Sequence, residues 1–408
     1  MKGDHSQGAS ALPAGGPGKA AAASPGRPGM PQARRVLALA GIAHALHDGY
    51  TDLIYVLLPV WQAEFALGYG MLAVLRGLYA GAMAALQLPA GMLAERYGAR
   101  VVLVTGTALA AIGYAIAGLP AGLLGLCVGL GLSGAGSSAQ HPIASTAVAR
   151  AYGAEARGPL GTYNFTGDLG KAVFPPLTAL LLTLVSWRES LGVLALIGLS
   201  VAVVLGLLMP PISFKAPDEA GKTEQVARNG FWILFAMGVL DSAVRMALLT
   251  FLPFLLQAKG ASLPTIGFAL AAVFIGGAAG KFGCGPLSKK LGAVHTVVLT
   301  EVSTAVLILL VLAMPLTPAL LIMPLLGFML NGTSSVLYGT VPELVPPQQT
   351  ARAFAVFYTG TIGSGALTPI LYGFAGDVVG AQWATVATAV TALAVCPLAF
   401  ILKTGSRQ

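Results

Sequence analysis

Gly91-Met-Leu-Ala-Glu-Arg-Tyr-Gly-Ala99 returns, in altered letters, as Gly285-Pro-Leu-Ser-Lys-Lys-Leu-Gly-Ala293. Each copy is a short charged turn between two long apolar runs, and each keeps its two glycines and its final alanine. Other pairs keep the same spacing. Asp48 and Pro59 answer Asp241 and Pro253, Gly134-Ala-Gly-Ser-Ser138 answers Asn331-Gly-Thr-Ser-Ser335, and Ala156-Arg157 with Tyr163 answers Ala351-Arg352 with Tyr358. Every pair is offset by about 195 residues in the same order. Chance similarity between apolar helices would not hold one offset, so the chain is a duplicated unit.

Composition says what the unit is made of. Of 408 residues, 56% are hydrophobic and only 9% charged, against about 25% charged in a soluble domain. This chain lacks the polar residues to clothe a water-exposed surface, and reads as an all-α polytopic membrane protein. Apolar runs place spans near 36–60, 70–93, 101–119, 122–148, 158–185 and 190–209, then 230–257, 264–288, 294–314, 317–341, 353–376 and 382–402. Twelve transmembrane helices result, as two pseudo-symmetric six-helix bundles. The expected organisation is a disordered cytoplasmic tail (1–33), an N-terminal bundle (34–209), a cytoplasmic linker (210–229) and a C-terminal bundle (230–403).

Charge placement sets the expected orientation. Of 23 Lys and Arg residues, 17 fall in segments that are cytoplasmic if the N-terminus is inside, while the outer loops hold only Arg188 and Lys259. Both termini are therefore expected in the cytoplasm. The same distribution explains the net charge of +8 without nucleic acid. Cys127, Cys284 and Cys396 lie in apolar runs with no metal spacing, and no Gly-Lys-Ser/Thr follows the small-residue runs, so no ATPase motif is present. No cofactor is expected.

Within this apolar chain a few polar residues stand out. On the first span, His44, Asp48, Thr51, Asp52 and Tyr55 share one helical stripe about 100° wide. An ionisable group at mid-membrane costs about 2.5 kcal/mol or more, so the stripe must face protein or water. Asp48 lies about 18 Å along the span from Val36, close to mid-depth. Burial favours the neutral form of a carboxylate, and a neighbouring histidine can relay charge. His44, Asp48 and His141 are therefore the proton-coupling candidates, with Asp52 one turn on. The plain alternative is an Asp–His hydrogen bond that only joins two helices, and His47 is as well read as packing.

Asp168 and Lys171 stand three apart on the fifth span and can pair with each other; Lys171 can also bind an anionic substrate. Asp241 and Arg245 repeat this at four apart on the seventh. Tyr55, Tyr163, Asn164, Asn331, Tyr338 and Tyr358 are polar-tipped candidates for the wall of a pathway. Arg76, Lys281 and Glu301 lie within or near the edge of the membrane; long cationic chains can snorkel, so Arg76 is the least informative of them.

The loop Gly91-Met-Leu-Ala-Glu95-Arg96-Tyr-Gly98-Ala-Arg100 resembles the signature between the second and third helices of the major facilitator superfamily, with Glu where that family usually has Asp. Gly91 permits close helix contact, Gly98 ends the turn, and the charges can form a clasp. With Lys289, Lys290, Arg157 and Arg352 these are the gating candidates. Ala43-His44-Ala-Leu-His47-Asp48 and Gly134-Ala-Gly-Ser-Ser-Ala-Gln-His141-Pro142 are similar to the first and fourth spans of its fosmidomycin-resistance branch. The resemblance implies a monomeric inner-membrane antiporter that exports a small organic compound against protons by alternating access. Two alternatives stay open. A divalent-metal exporter could use His44, His47, Asp48, Asp52 and His141 as ligands, although no thiolate is near and Lys171 would repel a cation; a non-transporting membrane sensor is the reading from another class.

Overall fold

The computed structural model describes residues 30–211, 229–346 and 349–405, and these are almost wholly helical. In the first half α1 spans Met30–Phe65. α2 runs Tyr69–Ala85 and bends by 42° into Gln87–Tyr97, and α3 spans Ala99–Ala117. α4 comprises Gly122–Ser137, a π-helical turn at Gln140–Ala144, and Ser145–Tyr152. α5 spans Arg157–Leu181 and α6 Trp187–Leu208. In the second half α7 is Asn229–Ala258, α8 Leu263–Leu291, α9 Ala293–Ala313, α10 Leu316–Thr340, α11 Thr350–Val379 and α12 Ala381–Gly405.

Among the described residues nine helices are long and apolar enough to cross a membrane, and bent α2 makes a tenth. The remaining two of the twelve are α1 and α5, the helices that carry the ionisable stripe. Polar groups that lower their mean hydropathy are the same groups that make them interesting.

Packing repeats between the halves. α1 packs on α5, α2 on α4, α3 on α4 and α6; correspondingly α7 packs on α11, α8 on α10, α9 on α10 and α12. The halves meet through α2 against α11 and α5 against α8, which are also symmetry mates. The protein is thus two pseudo-symmetric six-helix bundles about an axis along the membrane normal. Backbone geometry agrees: Gly98 and Gly292, which close the two copies of the charged turn, have φ of 88° and 82°, a region an L side chain rarely adopts.

With an even number of spans, the start of α1 and the end of α12 lie on one face, called here the terminal face. Helix α1 begins at Met30, four residues inside the expected tail, because Pro31 in the first turn has no intrahelical N–H to lose. The rest of that tail and most of the expected linker (212–228) lie outside the described residues.

Helix α5 crosses α1 closely because Gly170 presents no side chain: a Cβ there would collide with the Ala45 carbonyl. This crossing sets Asp168 and Lys171, on either side of Gly170, against the polar stripe of α1.

Candidate functional site

Asp48 is the hub. Its Oδ2 is 3.5 Å from His44 Nε2 one turn back and 3.4 Å from Lys171 Nζ on α5, while its Oδ1 is 3.5 Å from His141 Nε2 on α4. Lys171 also reaches Asp52 at 3.9 Å. His44 is held by its second nitrogen, 2.8 Å from the Tyr163 carbonyl, and its ring stacks on Tyr163 at 4.1 Å. An Nδ1–H that donates to a carbonyl leaves Nε2 facing Asp48, where a proton on either atom can bridge the two.

The π turn explains why His141 is there. Pro142 has no N–H to donate, so the ladder of α4 opens at this point; Ser145 Oγ donates to the His141 carbonyl and Thr146 Oγ1 to the Pro142 carbonyl. The widened turn brings His141 to 5.1 Å from His44, ring to ring.

The fifth helix does not pair with itself as expected. Lys171 turns to α1, and Asp168 instead takes Lys281 of α8 at 2.5 Å, across the boundary between halves. Three residues on a helix subtend about 300°, so the two side chains leave α5 about 60° apart and each finds a different neighbour.

Exposure within the cluster is ordered. The side chains of Asp48, Asp52 and Asp168 are only 9%, 7% and 9% exposed, whereas those of His141, Lys171 and Lys281 are 28%, 30% and 39% exposed. Carboxylates lie underneath and cationic groups lie in front of them. A ligand entering the seam meets ammonium and imidazole first.

Arg76 on α2 is buried rather than snorkelling. Its guanidinium lies 5.1 Å from the Tyr55 ring centroid and donates to the Gly365 carbonyl of α11 at 3.1 Å. Tyr55 itself donates to the Met246 sulfur of α7 at 3.5 Å. In the second half Arg245 pairs with Asp241 at 2.6 Å, and Ser334 Oγ donates to the same carboxylate at 3.0 Å. Tyr338 is 3.1 Å from Thr361 and its ring lies 6.1 Å from that of half-exposed Tyr358.

Other expected residues fall elsewhere. His47 bonds Ser137 at 2.9 Å and Thr107 at 3.1 Å, which ties α1 to α3 and α4 as packing. Asn331 donates to the Gly327 carbonyl of its own helix, and Asn164 is exposed outside the cluster. No ion pair joins Glu95 to Arg96 or Arg100 among the described residues. Adjacent positions point about 100° apart, Arg96 lies over the Tyr97 ring at 5.3 Å, and Arg100 donates to the Gly206 carbonyl. Arg157, Lys289, Lys290 and Arg352 are exposed near the terminal face.

Away from that face, the halves are shut. Asp377 of α11 accepts from the backbone N–H groups of Tyr69 and Gly70 at the start of α2, and Gly267 of α8 lies against Pro175, Pro176 and Ala179 of α5. On the terminal side a Cβ added at Gly158, Gly161 or Gly285 would meet open space, and so would one at Gly91, which therefore does not serve the close helix contact expected of it.

Both halves carry the same sequence pattern: the profile of the Major Facilitator Superfamily matches residues 40–240 and again 234–407. The chain belongs to the Major Facilitator Superfamily. It is 23% identical to the "Fosmidomycin resistance protein" of Escherichia coli over 354 residues, which span 84% of this chain and 86% of that protein. It is equally 23% identical to the "Probable sulfoacetate transporter SauU" of Cupriavidus necator over 353 residues, 79% and 82% of the two chains. Among solved structures, a bacterial homolog to human lysosomal transporter Spinster, inward-facing and occupied, superposes with a TM-score of 0.77 at 17% identity, covering 92% of this chain and 98% of that one. A POT family transporter in complex with 5-aminolevulinic acid gives 0.73 at 12% identity, covering 90% and 95%. These likenesses establish a multi-pass transporter fold for this member of the superfamily.

Proposed function

We propose that this protein is a proton-coupled secondary transporter of a small organic anion. The supporting observation is the ordered cluster, in which Lys171, Lys281 and His141 front three buried carboxylates at the boundary between the halves. Lysine exchanges partners readily because it is a point charge on a flexible stem, and Asp48 with its two histidines can take a proton. Similarity to a sulfoacetate transporter supports an anionic substrate. We place the terminal face in the cytoplasm of the inner membrane, from the positive-inside distribution; the shut side is then the outside, and the chain stands inward-open as a monomer. The reading keeps the division into two bundles at 34–209 and 230–403, with 210–229 as the linker between them.

A divalent cation is the second reading. His44, Asp48 and His141 each offer a ligand atom, all within 4.8 Å of one another. Lys171, 3.4 Å from Asp48, weighs against it, since its ammonium repels a cation.

Proteoliposomes test both. Uptake of radiolabelled sulfoacetate or a related small anion should respond to an imposed pH gradient, and Asp48→Asn should abolish that response. Full gradient-driven flux through Asp48→Asn would refute the assignment. Saturable transport of a divalent metal, lost in a His44→Ala, His141→Ala variant, would establish the second reading instead.

A further inference from the structure

The exchange of substrate against proton that the sequence resemblance implies requires the two to exclude each other. The geometry makes them cooperate. Lys171 is the shared element: its ammonium lies 3.4 Å from Asp48 and 3.9 Å from Asp52, and it is the exposed member of that trio. An anion that takes Lys171 must draw it away from Asp48. Protonating Asp48 removes the nearer competitor.

We infer that one proton on the Asp48 carboxylate and one substrate anion on Lys171 load the site together, so that this transporter moves proton and anion in the same direction. The inference rests on the anion reading above and reverses the sense of coupling that the resemblance implies.

Charge balance supports it. With neutral histidines, the cluster holds three carboxylates (Asp48, Asp52, Asp168) and three cations (Arg76, Lys171, Lys281), and is neutral when empty. An anion added alone leaves a net negative charge in a low-dielectric seam, where Coulomb energies are several times those in water. An anion added with a proton leaves the sum unchanged. In this step the proton comes from solution to an Asp48 oxygen, and Lys171 keeps its own protons and donates them in hydrogen bonds to the anion. Apart from that O–H bond, made as one in the solution acid breaks, no covalent bond changes.

Every group facing Asp48 gives the same sign. On its own helix stand His44, His47 and Asp52; His141 comes from α4, Lys171 from α5 and Lys281 from α8. Tyr79 of α2, Tyr163 of α5 and Tyr358 of α11 add only phenols. A proton on His44 or His141 adds positive charge beside the anion, and a proton on Asp168 frees Lys281. None of these protonations opposes anion binding.

The sign of proton exchange decides the matter, measured on the purified full-length protein in weakly buffered detergent solution. Sulfoacetate is the first probe, with a panel of small carboxylates, sulfonates and phosphonates beside it. Binding should take up protons, toward one per anion, and affinity should strengthen as pH falls, by at most about tenfold per pH unit for a single linked proton. Asp48→Asn removes the charge of the nearer of the two carboxylates that hold Lys171, so it should bind the probe about tenfold tighter than the unaltered protein at pH 8, within the usual range of coupling factors. Its proton uptake should be largely lost. Proton release on binding, or affinity that weakens as pH falls, overturns the inference while leaving the anion reading intact. No binding by any anion in the panel overturns the anion reading and the inference with it. The proton count on the unaltered protein stands whether or not the variant folds.

Discussion

The Asp377 carboxylate at the end of α11 caps the start of α2: it accepts from the backbone N–H of Tyr69 at 2.5 Å and of Gly70 at 3.0 Å. Gly68, which precedes α2, offers no capping side chain of its own. The first N–H groups of a helix need partners and carry partial positive charge. Here the partner comes from the other half of the molecule, so the cap exists only while the halves are shut on this side. Gly373 completes the contact, because a Cβ there would press on the Tyr69 carbonyl at 2.8 Å.

Removing the cap should loosen that side. Loss of a capping side chain costs about 0.5–2 kcal/mol, a two- to thirtyfold shift in an equilibrium. In Asp377→Ala, a cysteine placed at Tyr55, with Cys127, Cys284 and Cys396 replaced, should react faster with a membrane-impermeant thiol reagent supplied at the α2 start. Equal labelling rates with and without Asp377 would show that the cap does not hold the gate.

Lys281 and Asp168 should behave as a pair. Lys281→Met leaves a nearly buried carboxylate alone, and Asp168→Asn leaves a lysine without its partner, so each lowers the unfolding temperature in detergent. The double variant should recover most of the loss. Breaking a fully buried pair costs about 3–5 kcal/mol, and the 39% exposure of the lysine side chain should keep the effect below that range. Additive losses would deny the pairing.

Arg76 should resist conservative replacement. A lysine keeps the charge but, as a single ammonium, cannot both lie over the Tyr55 ring and donate to the Gly365 carbonyl as the guanidinium does. Arg76→Lys is expected to slow transport several-fold in proteoliposomes and Arg76→Met more. A normal rate for Arg76→Met would reduce the residue to packing.

Gly170 and Gly161, both on α5, should differ sharply. Gly170→Ala drives a Cβ into the Ala45 carbonyl, an overpacking cost of about 1–3 kcal/mol or more, and should cut folded yield in size-exclusion chromatography. Gly161→Ala enters open space and should fold as well as the original chain. Equal yields would mean that α1 and α5 do not cross as described.

Asp48 with His44 was legible because both lie on one helix, where the i, i+4 relation is fixed by the backbone. His141 was legible as a partner through the polar position it holds in an otherwise apolar span. The pairing of Lys171 was not legible, since the local i, i+3 relation to Asp168 offered a sufficient partner and only the rotation of α5 against α1 and α8 denied it. Arg76 was not legible either: a long cationic chain in a span can reach the membrane surface, so its sequence position decides nothing, and here a carbonyl and an aromatic ring from other helices hold it inside. Asp377 carried no local signal, because its partners are backbone groups 307 and 308 residues away.

From sequence alone came the twelve spans, the duplication and the presence of titratable groups within apolar spans, because each depends on composition, on helical periodicity or on a repeat spacing, all of which are written along the chain. Tertiary structure decided which charge meets which, that the carboxylates lie behind the cations, and which side is shut. Those depend on helix rotation and on the docking of one half against the other, where a turn of about 100° or a shift of one residue exchanges every partner.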